Sequence, residues 1–133
     1  MRRTGLLNAR LSEVVARMGH FDMLVIADAG LPIPAGVELI DLSVSRDLPR
    51  MLPVAEAVVA ELAVERMIVA TELARLGTLT MADIQGLGPG LTLDAVDHDE
   101  LKRMSPGGRR RRANWGVLAV RQCDPGGRRD VLR

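Results

Sequence analysis

The chain has 133 residues, 47% hydrophobic and 26% charged, with a formal net charge of +1. That length predicts one domain with a real core, and the balance excludes wholesale disorder. No apolar run approaches the roughly 20 residues of a membrane helix, and Met1-Arg2-Arg3-Thr4-Gly5 opens on no signal-like apolar stretch, so a cytoplasmic protein without membrane contact is expected.

Leu11, Val14, Val15 and Met18 fall at i, i+3, i+4 and i+7 and predict a helix over 9–18, with Asn8 as N-cap and Gly19 as stop. Met23 to Ala27 is a continuous apolar run ending at Asp28, the pattern of a strand covered on both faces. Val37 to Leu42 reads as a second strand. A helix from Pro49 to Ala63 follows, with Met51, Leu52, Ala55, Val58, Val59 and Leu62 on its buried side and Pro53 tolerated in the first turn.

Val64 to Thr71 predicts a third strand, and Thr80 to Leu87 a brief helix ended by Gly86-Leu87-Gly88-Pro89-Gly90. Leu91 to Val96 predicts another strand. Asp97 then caps a helical turn near His98, with Glu100 at the capping-box position. Strands alternating with helices define an α/β layered domain, a mixed β-sheet flanked by helices.

The composition breaks after Met104. Residues 1–104 hold 10 Lys+Arg against 15 Asp+Glu, whereas residues 105–133 hold 8 Arg against 2 Asp. Two parts are therefore expected: an α/β domain over 1–104 and an atypical Arg/Gly-rich tail over 105–133, disordered or out of frame. Gly116 to Val120 has strand character, but Asp124-Pro125-Gly126-Gly127 argues against a place in the sheet.

Few side chains suggest chemistry. His20 lies just past a helix end, where a cation-compatible residue is the ordinary finding. Asp28 follows an apolar strand, and ligands of open α/β sheets gather at the carboxyl ends of strands; a turn residue bonding its own backbone is the plainer alternative. His98 fits a first-turn helix residue, and Lys102, one turn on, fits a solvated cation. The glycines at 86, 88 and 90 form no dinucleotide fingerprint, because a proline interrupts them and no helix start follows. Arg109 to Arg112 offers phosphate contact but lacks interleaved aromatics, so a nucleic-acid partner is not expected. The one cysteine, Cys123, excludes an internal disulfide and has no histidine at a readable spacing.

Gly5-Leu6-Leu7-Asn8, Met18-Gly19-His20-Phe21-Asp22 and Val25-Ile26-Ala27-Asp28-Ala29-Gly30-Leu31-Pro32-Ile33-Pro34 together resemble the D-ribose pyranase family. The related fucose mutarotases share the Gly-His and Asp-Ala positions but depart in the Gly-Leu-Pro-Ile-Pro loop. The likeness covers about residues 4–104. It implies a cofactor-free isomerase that interconverts the pyranose and furanose forms of D-ribose or a related monosaccharide. His20 would be catalytic, and Asp28 and His98 would bind the sugar, with no metal. It also implies a ring-shaped homo-oligomer, a homodecamer, with sites between subunits.

The tail departs from this family, whose C-terminus reads Thr/Ser-Gly-Glu-Cys-Ser-Pro-Tyr-Ala-Asn and supplies a sugar-binding Tyr and Asn. This chain has no tyrosine. Back-translated with free codon choice and read one base later, Asn114 to Pro125 permit Thr, Gly, Glu, Cys, Ser, Pro, Tyr, Ala, Asn, Val and Ile in that order. A one-base shift between about Lys102 and Arg109 is therefore expected, and the chain as written should be impaired. The rival reading is a non-catalytic sugar-binding or regulatory module.

Overall fold

In the computed structural model, residues 3–19, 22–27, 35–72, 80–88, 90–97 and 99–100 are described, with the backbone of 117–122. Helix α1 spans Ala9–Arg17, strand β1 Met23–Ala27, helix α2 Met51–Val59 and strand β2 Val64–Ala70. Helix α3 spans Met81–Gly86, strand β3 Thr92–Val96 and strand β4 Val117–Gln122.

The four strands form one sheet in the order β1-β4-β2-β3. Strand β4 is antiparallel to both β1 and β2, and β2 is parallel to β3. Hence β1, β2 and β3 all run the same way, and their carboxyl ends, Ala27, Ala70 and Val96, share one edge of the sheet. The mixed-sheet α/β class expected from the sequence is what the chain adopts.

Alternation along the strands sorts the core. Ile26, Met67 and Val69 pack with Leu11 and Val15 of α1, Ala55 and Val58 of α2 and Ile84 of α3. Ile68 and Ala70 form a second cluster with Met23, Val25, Ala27 and Val96 on the opposite face. A period of two in β2 thus supplies both faces, so its last four residues, Met67 to Ala70, are all buried.

Helix α1 begins as its sequence predicts: the Asn8 side chain accepts from the Leu11 N–H at 2.9 Å. It ends when Met18 turns extended, at φ −61° and ψ 129°. Helix α3 opens with a capping box in which Thr80 and Asp83 satisfy each other's backbone amides. The Asp97 cap is also present, its Oδ1 accepting from the Glu100 N–H at 2.7 Å.

Three expectations are corrected. Val37 to Leu42 is not a strand; Val37 and Leu39 are 40% and 65% exposed, and an Arg10–Glu38 ion pair, an Asp41–Ser43 turn and the packing of Ile40 and Leu42 against the core hold the segment instead. Branched residues favour a strand only where a neighbour offers a ladder, and none does among the described residues. Strand β1 is only partly covered, with Ile26 alone buried, because it lies at the edge of the described sheet. Finally, residues 117–122 enter the sheet between β1 and β2. Asp124-Pro125-Gly126-Gly127 come in sequence after the last ladder position, Gln122, so they do not exclude the strand.

Candidate active site

The candidate site is framed by the ends of strands. Asp28 is the next residue after Ala27, the last of β1, and His98 lies two residues after Val96, the last of β3. His20 precedes β1 by three residues. All three lie outside the described residues, as does Lys102. The frame around them is described.

At the amino end of β1, Gly19 and Asp22 are bonded to each other twice. The Gly19 N–H donates to Asp22 Oδ2 at 2.8 Å, and the Asp22 N–H donates to the Gly19 carbonyl at 3.1 Å. These two bonds bracket residues 20 and 21 in the chain. Met18, just before, packs against the main core, and Met23, just after, begins the ladder with β4.

At the carboxyl edge, β1 and β3 stop level with β2. Thr71 and Glu72 follow β2 there, with Thr71 Oγ1 donating to Glu72 Oε2 at 3.3 Å. Sequence reading did not single out these two; their signal was the same one that selected Asp28, a polar residue directly after an apolar strand. With Asp97, they give this edge a polar rim above apolar strand ends, the place where ligands of open α/β sheets gather.

The displaced pKa values lie away from this edge and have structural causes. Side-chain and backbone hydrogen bonds from Ser43 lower the Asp41 pKa, and backbone and side-chain bonds from Thr80 lower that of Asp83. The Arg10 guanidinium lowers the Glu13 carboxyl, chiefly through their hydrogen bond. An open dimple of about 130 Å³ lies among Leu6, Ser12, Val15, Ala16 and Glu61, none of which is at the strand ends. Among the described residues no group of three or more His, Cys, Asp or Glu could hold a metal, and no helix is long and apolar enough to cross a membrane.

A mixed sheet whose three parallel strands end at one polar rim, with its helices gathered in one core, defines a layered α/β protein. The RbsD / FucU transport protein family matches residues 1–109, and the chain belongs to that family. It is 47% identical over 105 residues to a D-ribose pyranase of Coprothermobacter proteolyticus, covering 79% of this chain and 80% of that one. A D-ribose pyranase of Variovorax paradoxus is 41% identical over 128 residues, covering 94% and 91%. The structure of Bacillus subtilis RbsD complexed with D-ribose superposes with a TM-score of 0.77 at 30% identity, covering 92% of this chain and 97% of that one.

Proposed function

We propose that this chain is an isomerase that interconverts the pyranose and furanose forms of D-ribose by acid–base ring opening and closure. The observation that carries the reading is the shared edge: β1 and β3 run in parallel directions, and the chain continues from their ends into Asp28 and His98. Relatives named D-ribose pyranase, 47% and 41% identical, support the same substrate.

The chemistry needs little machinery. Opening a hemiacetal ring takes a proton delivered to the ring oxygen and one removed from the anomeric hydroxyl, giving the open aldehyde. Closure returns both protons in the opposite sense, with a different hydroxyl oxygen adding to the carbonyl carbon. An imidazole with a pKa near 6.5 performs both transfers at neutral pH, and this is the role of His20. Asp28 and His98 hold sugar hydroxyls. No cofactor enters any step.

The chain acts in the cytoplasm as a ring-shaped homo-oligomer. Strand β1 spans about 13 Å from its first to its last Cα, and His20 precedes it in the chain while Asp28 follows it, which supports sites completed by a second copy. The one-base shift between about residues 102 and 109 is part of the same reading, supported by the arginine excess after residue 104.

The test is saturation transfer between ribose anomers by NMR, on a version whose reading frame is shifted by one base before residue 109, with His20→Ala in that version as control. Exchange abolished by that substitution supports the enzyme. Ribose binding without exchange, indifferent to His20→Ala, supports instead a non-catalytic sugar-binding module, the reading favoured by the missing tyrosine.

A further inference from the structure

We draw no further inference here: the strongest candidate, the exposed apolar side chains Leu39, Val44 and Leu48 on the surface segment leading into α2, carries nothing because nothing in the structure shows what covers them.

Discussion

Arg66 Nε lies 2.9 Å from Asp94 Oδ2, tying β2 to β3 on the sheet face opposite the three helices. The two strands are parallel with Arg66 opposite Thr92, so the carboxylate reaches back diagonally by two residues. Both side chains are about 40% exposed, at 43% and 39%, so solvent screens the attraction. Asp94→Ala is therefore expected to cost less than about 1 kcal/mol, and added salt should shrink the difference. Urea titrations at low and high salt check this.

The core makes a larger demand. Met67 is 1% exposed at the centre of β2, packed with residues from β1 and all three helices. Met67→Ala should destabilise by roughly 2–5 kcal/mol, since the surrounding helices close only part of the void. The urea midpoint should fall with the slope unchanged.

Helix α1 depends on a single side chain at its start. Asn8→Ala removes the acceptor for the Leu11 N–H and should cost about 1 kcal/mol, with Asn8→Asp close to neutral. Thermal melts of the two variants separate loss of the cap from a change of residue as such.

Acid should act through Asp83. Its folded pKa is lowered by the Thr80 backbone and side-chain bonds, so the carboxylate's contribution is fully present above its unfolded pKa, about 4. It is lost as pH falls through the lower folded value. Asp83→Asn should therefore flatten the acid limb of the stability curve below about pH 4 and leave the neutral region's slope unchanged. A pH series of melting temperatures reads this directly.

The tail can be tested by its reading frame. The ladder sets Arg121 opposite Arg66, a like-charge register that antiparallel pairs disfavour. The chain as written is expected to exchange ribose weakly or not at all and to assemble poorly. A version whose reading frame is shifted by one base before residue 109 should recover both, measured by saturation transfer and sedimentation. Equal, normal exchange rates in the two versions would end the frameshift idea.

Much of this fold was legible because its signals are local. Asn8 with the stripe at 11, 14, 15 and 18, the run from Val64, and the Asp97 cap each lie within one or two turns of chain. Val37 to Leu42 misled because branched residues report willingness to pair, whereas the partner strand is a property of the whole sheet. Strand β4 misled in the opposite sense: its breakers sit beyond its last paired residue. His20, Asp28 and His98 were picked out by a motif and strand ends. That β1 and β3 finish at one edge follows from the directions and registers of the strand pairs, which no local pattern contains.

The central position of β4 bears on synthesis as well. Strand β1 leaves the ribosome early, yet its only partner in the described sheet emerges about a hundred residues later. Until then the nascent chain holds an apolar strand without a ladder, open to wrong pairings. Errors in the final codons would thus be felt at the beginning of the molecule.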